Sequence, residues 1–482
     1  MRQDVLGCRP AREAHPPALV TLFFTEMWER FSYYGMRALL VLYLVKAGGY
    51  ARDHALEVYA IYTGLVYLSG IVGGWACDRY LGFRKAILAG GFIMMLGHFA
   101  MAVPSLLHYA LGLLVIGNGF FKPNIASFLG TFYRENDPRR DGAFTIFYMG
   151  VNTGAFLAPL VAGWLGESVG WDWGFASAGV GMGLGLLQFW IGKARLGSGG
   201  FPPGRERLTA RDLFDIGAIT AGALLALYLV FMAWPTLGPL WSAVPLAVRA
   251  LLPLGLLGWL LVDVRRVDGA AGLEQVGAIL VMCFFVIAFW MGFEQAGGTM
   301  NLFADTQVDR HLLGWEIPAS YFQAINPLGI VLLGPLVAML WNRIDAGRHP
   351  WPTSAKMGLG MIILGLGFVV LYLAQNRAGA VGTVGPWWLV AVYLLHTVGE
   401  LCLSPVGLSM VTKLAPARLA AMMMGTWYIA NAIANYLAGI LEALLSTTGI
   451  PLYGFLVASS IGAGLLLIAL TPLLRRWTHG LA

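Results

Sequence analysis

Fourteen stretches of about 20 apolar residues, the length that crosses a roughly 30 Å hydrocarbon core, recur between residues 18 and 474. They read as helices over 18–46, 56–76, 86–103, 109–131, 142–165, 173–192, 213–234, 242–262, 275–304, 317–342, 357–375, 386–412, 419–446 and 452–474. No stretch alternates polar and apolar residues as a membrane barrel strand must, so the expected fold is all-α and integral to a membrane. Only 12% of the 482 residues are charged, about half the share of a soluble domain, which excludes a disordered chain, a nucleic-acid module and an ordinary soluble enzyme. Cys8, Cys77, Cys283 and Cys402 have neither paired nor regular spacing, so no disulfide framework and no metal site of the zinc type is expected. The first 17 residues are polar and carry no short apolar core ahead of a cleavage site, so no cleaved signal peptide is expected.

The net charge of +6 acquires meaning from where the bases fall. Of the 31 Lys and Arg, four lie in alternate loops (Lys46, Arg52, Arg310 and Arg377), four lie inside predicted helices (Arg30, Arg37, Lys122 and Arg249), and 23 lie on the other side. Basic residues mark the cytoplasmic face, so both termini are expected there. The longest inner linkers, 193–212 and 263–274, bracket a helix pair at 213–262 that has almost no polar residues. This predicts a six-helix bundle over 18–192, an inserted hairpin over 213–262 and a second bundle over 275–474. Two six-helix halves are the architecture of a major-facilitator transporter, with the hairpin outside the substrate path.

Charge inside these helices is the functional signal. On the first helix Glu26, Glu29, Tyr33, Arg37 and Arg30 fall within one stripe about 100° wide. Each charge at mid-bilayer costs roughly 2.5 to 3.5 kcal/mol on insertion scales, so this stripe must face a wet cavity or partner charges. A structural salt-bridge ladder is the plainer alternative, although apolar replacement of such a ladder is usually at least as stable. Arg249, near a helix end, is expected to snorkel. Lys122, Glu294 and Glu400 are isolated deep in three further helices. Acids Glu26, Glu29, Glu294 and Glu400 outnumber bases Arg30, Arg37 and Lys122 by one, which leaves a carboxylate to carry a proton. The first half supplies all three bases and the second supplies Glu294 and Glu400, so a cavity between them would have a basic and an acidic wall. Such walls suit a zwitterion. Tyr33, Tyr34, Tyr67, Trp290 and Trp427 would bound side-chain pockets, and Asn152 and Asn326 would offer amides to a peptide bond.

Four segments carry a family resemblance. EMWERFSYYG at 26–35 is similar to the ExxERFxYYG signature of the proton-dependent oligopeptide (POT/PTR) transporters. GGWACDRYLGFRK at 73–85 resembles their loop between helices 2 and 3, FYMGVNTGAF at 147–156 resembles FYxxINxGSL, and GELCLSPVG at 399–407 resembles its counterpart in the second half. Val151 and Ala155 depart from the third signature, and helix 2 lacks the histidine of animal members. The resemblance implies a bacterial proton-coupled importer of di- and tripeptides in the inner membrane. It needs no cofactor beyond protons and has no nucleic-acid partner; membrane lipid surrounds it and a monomer is expected. It implies that Glu26, Glu29, Arg30, Lys122 and Glu294 couple the proton, and that Arg37 pairs with Glu294 as an outer gate. Glu400 would receive the peptide amine. Arg30, Arg37, Lys122, Asn152, Asn326 and the tyrosines Tyr33, Tyr34 and Tyr67 would hold carboxylate and backbone, while Ser404, Trp290 and Trp427 would line side-chain space.

Other readings are a proton-coupled carrier of a drug or nitrogen compound and, from another class, a membrane enzyme. His396 and Glu400 share a helix face, yet no third metal ligand is evident and no HExxH occurs. A channel would need a pore ring or filter, which the chain does not offer. The glycine run GVGMGLG at 179–185 has no preceding strand and reads as close helix packing rather than phosphate binding.

Overall fold

The structure is a computed structural model that describes residues 14–478 save 135–136, 138, 202–208, 212–213, 216, 219–220, 223–224, 226–243, 313 and 348–350. Fourteen α-helices are named within it: α1 Ala18–Lys46, α2 Arg52–Ala76, α3 Gly82–Met101, α4 Leu107–Gly130, α5 Arg140–Ala158, α6 Trp171–Ile191, α7 Leu246–Val267, α8 Gly269–Phe293, α9 Thr299–Gln307, α10 Ile325–Asp345, α11 Thr353–Val381, α12 Trp387–Leu414, α13 Ala420–Ser446 and α14 Leu452–Trp477. Among the described residues, nine helical stretches are long and apolar enough to cross a membrane by length and composition. The expected helix at 213–234 lies largely outside the described residues. The β-structure is marginal: His311–Leu312 pairs antiparallel with Trp315–Glu316 in a connecting loop.

Two expectations are corrected. The span expected as one helix over 275–304 is broken: α8 ends at Phe293, a 3-10 turn covers Glu294–Gly297, and α9 starts at Thr299. The cause is the Gly297-Gly298 pair. A Cβ on Gly297 would lie 2.0 Å from Tyr59 Oη, so only glycine admits that phenol, and Gly298 takes φ −110°, ψ −103°. The linker expected over 263–274 is instead mostly helix. α7 runs to Val267, Asp268 turns the chain, and Gly269 at φ +73° starts α8.

The helices pack in two groups. α1 lies against α5 and α6, α3 against α4 and α6, and α2 against α4; in the second group α11 lies against α12 and α14, and α8 against α13. Small residues bring the backbones together. A Cβ on Gly73 of α2 would stand 1.9 Å from the Gly119 carbonyl oxygen of α4, and one on Gly154 of α5 would stand 2.1 Å from the Met27 carbonyl oxygen of α1. The 179–185 run does what its composition suggests: Cβ atoms on Gly181 and Gly185 would meet Phe31 at 2.5 Å and Trp28 at 3.0 Å.

Between the groups, α2 lies along α13 and α5 along α10. Ties gather at the end where α1 finishes, the Lys46 end. Lys46 pairs with Asp305 at 2.8 Å, Arg52 with Glu442 at 3.1 Å, and Asn301 Nδ2 donates to the Ala38 carbonyl at 2.8 Å. There α2 and α13 also touch closely, with Gly439 so near Ala60 that a Cβ would fall 2.4 Å from its methyl group.

Candidate functional site

A cavity of about 860 Å³ opens between the two groups of helices. It runs from Arg37 and Glu294 to Ser127, Arg140, Phe144 and Met424, and so reaches toward the Ala18 end of α1. Glu26, Arg30, Tyr34, Arg37, Tyr67, Lys122, Asn152, Trp290, Glu294, Asn326, Glu400 and Trp427 all line it. Twelve residues singled out by stranded charge, aromatic character or a family motif thus meet around one space.

The α1 stripe supplies the first wall. Arg30 Nε is shared: it donates to Glu29 in a very short contact and lies 3.1 Å from Glu26 Oε1. Glu29 is fully buried, and Asn118 Nδ2 on α4 donates to its other oxygen at 3.3 Å. Glu26 Oε2 and Arg30 Nη2 are buried with no hydrogen-bond partner among the described residues. One guanidinium therefore serves two carboxylates and keeps an N–H unspent, an arrangement in which protonating one carboxylate leaves a matched pair.

Lys122 has a different surrounding. Its Nζ stands 4.1 Å from the centroid of Tyr67 and 6.0 Å from that of Tyr33, so aromatic faces hold its charge without neutralising it. The sequence explains the proximity. Pro123 has no N–H to give the Gly119 carbonyl, and the glycine contact at Gly73 and Gly119 draws α2, with Tyr67, onto α4.

At the upper limit of the cavity Arg37 Nη2 binds Glu294 in a very short ion pair, and Arg37 Nε donates to Tyr59 Oη at 2.7 Å. Glu294 sits in the 3-10 turn at the break between α8 and α9. On the opposite wall Glu400 accepts from Asn326 Nδ2 at 2.8 Å, an amide that also reaches Thr397 Oγ1 at 3.1 Å. An amide orients Glu400 without cancelling its charge. His396 packs at a tilt against Phe368 with centroids 4.7 Å apart, and no group of three metal-ligating side chains exists among the described residues.

Three candidate residues are placed differently from the rest. Glu29 and Tyr33 do not line the cavity. Tyr33 is buried behind the wall, edge-on to Tyr34 and within 5.4 Å of the Arg30 guanidinium, so it supports the bases that do line it. The Ser404 side chain lies outside the described residues, as does that of Arg249. Asn118, Tyr59, Tyr148, Gln323 and Asn431 were not singled out by sequence. Asn118 and Asn431 carried a usable signal, an amide in an otherwise apolar helix; Tyr59 did not, because a phenol in a membrane helix reads equally as an interface anchor.

With this geometry in place the relationships to known proteins are direct. The POT family model matches residues 84–204 and 262–456. The chain is 34% identical to the peptide transporter YePEPT of Yersinia enterocolitica over 96% of its own length and 95% of that protein, and 34% identical to a di-/tripeptide transporter of Lactococcus lactis over 95% and 96%. It superposes with a TM-score of 0.83 on a mutant peptide transporter POT crystallised with alafosfalin, at 36% identity over 97% of this chain and 96% of that one. The chain belongs to the POT family. It is a multi-span membrane transporter and not an enzyme.

Proposed function

We propose that this protein is a proton-coupled symporter that imports di- and tripeptides across a bacterial inner membrane by alternating access. Its relatives in Yersinia enterocolitica and Lactococcus lactis, a peptide transporter and a di-/tripeptide transporter, support the substrate class. The observation that carries the reading is the pairing pattern in the cavity. Lys122 and Glu400 are both without an ion-pair partner among the described residues, and they line the cavity from opposite helix groups. A zwitterionic peptide supplies the two missing partners: its amine meets Glu400, and its carboxylate meets Lys122 and the unspent N–H of Arg30. Asn152, Asn326, Tyr34 and Tyr67 contact the backbone, Trp290 and Trp427 bound side-chain space, and Tyr33 backs the bases.

Glu26, Glu29, Arg30 and Lys122 form the coupling group, with Arg37 and Glu294 as the gate. Protonating Glu294 removes the attraction to Arg37 and frees the Lys46 end to part, so proton occupancy biases the two states. In this reading the chain forms 14 transmembrane helices, six in a bundle over 18–192, two in the inserted hairpin 213–262 and six in a bundle over 275–474. Both termini are cytoplasmic, the Lys46 end faces outward and the cavity described above faces the cytoplasm. The unit is a monomer and uses protons without a cofactor.

Uptake in proteoliposomes under an inward proton gradient tests both roles. Glu294→Gln and Glu400→Gln are expected to lose concentrative dipeptide uptake, with peptide exchange surviving in Glu294→Gln. Full gradient-driven uptake by both variants overturns the assignment. N-acetylated dipeptides, which lack the amine charge, are expected to compete at least tenfold more weakly than the free forms, the loss of one charge-assisted hydrogen bond.

A further inference from the structure

Glu167 lies outside the cavity, outside every motif discussed above and outside the proposed coupling group. It sits on the second of two π-helical segments, Pro159–Gly163 and Leu165–Val169, that carry the chain on from α5 at the Lys46 end. Its half-buried carboxylate crosses to the other helix group. Oε2 accepts from the Ala319 backbone N–H at 2.8 Å, and Oε1 accepts from the Ser320 backbone N–H at 3.0 Å and from the Ser320 hydroxyl at 2.6 Å. Ala319 and Ser320 are fully buried and open the 3-10 turn Ala319–Ala324, which leads directly into α10.

The surfaces beneath this contact are fitted to it. A Cβ on Gly163 would stand 2.1 Å from Ser320 Oγ, so only a glycine lets the two groups close far enough for the hydroxyl to reach Glu167. Three donors onto one carboxylate outweigh either ion pair at this end. Lys46 with Asp305 and Arg52 with Glu442 are part-exposed ion pairs, a class worth little net energy, whereas hydrogen bonds to a charged group are among the stronger ones.

We propose that Glu167 is a gate-positioning residue: a hydrogen-bonded latch between the π-helical segment that follows α5 and the 3-10 turn that precedes α10, which holds the Lys46 end closed and must release in every transport cycle. It rests on the alternating-access reading. Unlike Arg37 with Glu294, the latch contains no base, so it sets how firmly the outer side closes.

The test needs neither peptide nor gradient, which keeps its failure distinct from failure of peptide symport. A cysteine replaces Ala296, which lines the cavity beside Glu294, in a chain whose four cysteines are serine, and a membrane-impermeant maleimide is added to intact cells. Glu167→Ala and Glu167→Gln are expected to raise the labelling rate at least tenfold, the effect that losing even one charge-assisted hydrogen bond would have. Ser320→Ala is expected to raise it by a smaller factor alone and to add nothing in the Glu167→Ala background. An unchanged rate in both Glu167 variants overturns the proposal, and so does a Ser320→Ala effect undiminished without Glu167. Should those Glu167 variants fail to fold, Glu167→Asp, one methylene short, is expected to label faster than the parent, and a parental rate overturns the latch.

Discussion

At the residue scale, the site turns on which charges are already answered. Arg37 has Glu294 and Arg30 has two carboxylates, while Glu400 has only an amide. The bond from Asn326 therefore fixes where Glu400 presents its charge. Asn326→Leu leaves that oxygen without a donor, and a buried unsatisfied group costs roughly 1 to 3 kcal/mol. The expected outcome is a rise of about tenfold in the dipeptide KM for uptake, with the ratio of gradient-driven uptake to exchange unchanged, because the proposed coupling group lies on α1 and α4. A change in that ratio at constant KM would place Asn326 in coupling. The charged members of this site were legible in sequence, since a Glu, Lys or Arg within twenty apolar residues announces itself. Their pairing was not. Nothing in sequence distinguishes Glu29, sealed behind Arg30, from Glu26, which faces the cavity, or tells that Tyr33 stands behind Tyr34.

Elements show the same division between what hydropathy encodes and what close contact decides. The limits of α1 follow from the sequence directly, because Ala18–Lys46 is apolar apart from its functional stripe. The break between α8 and α9 follows less directly, because polar residues such as Glu294, Gln295 and Asn301 do not by themselves end a helix and the close contact is the Tyr59 phenol at Gly297. Glycines that look alike on one helix differ for this reason. Gly73→Ala forces a methyl group against the Gly119 carbonyl, whereas Gly74→Ala meets nothing within 4 Å. Gly73→Ala is expected to lower the thermal midpoint of the purified protein by several degrees. Gly74→Ala, which also gains helix propensity, is expected to leave it equal or slightly higher. Equal losses in both, followed by intrinsic fluorescence, would mean that the α2 and α4 crossing is looser than described.

For the whole molecule, the distribution of bases gave an orientation, and labelling checks it. A cysteine at Arg377 is expected to react with an impermeant maleimide in intact cells, and one at Arg475 only after permeabilisation. The reverse pattern would invert the topology. Closure at the Lys46 end was beyond the reach of sequence, because both states of an alternating carrier share one hydropathy profile. The closed end is visible only through partners distant along the chain, such as Arg52 with Glu442.

The shared guanidinium of Arg30 has an electrical consequence. With every side chain in its ionised form, the acids Glu26, Glu29, Glu294 and Glu400 and the bases Arg30, Arg37 and Lys122, the charges stranded inside the helices on and behind the cavity walls, sum to one negative charge, Arg140 being left at the cavity mouth where α5 begins. A single proton brings that sum to zero, and a zwitterionic peptide leaves it there. In a cycle of one proton per peptide, the loaded protein then moves its cargo through the membrane field without net charge. The empty protein returns with one negative charge, which an inside-negative voltage drives outward by about 2.3 kcal/mol per 100 mV. Voltage then acts on resetting the carrier and not on loading it, and the current belongs to the empty half of the cycle.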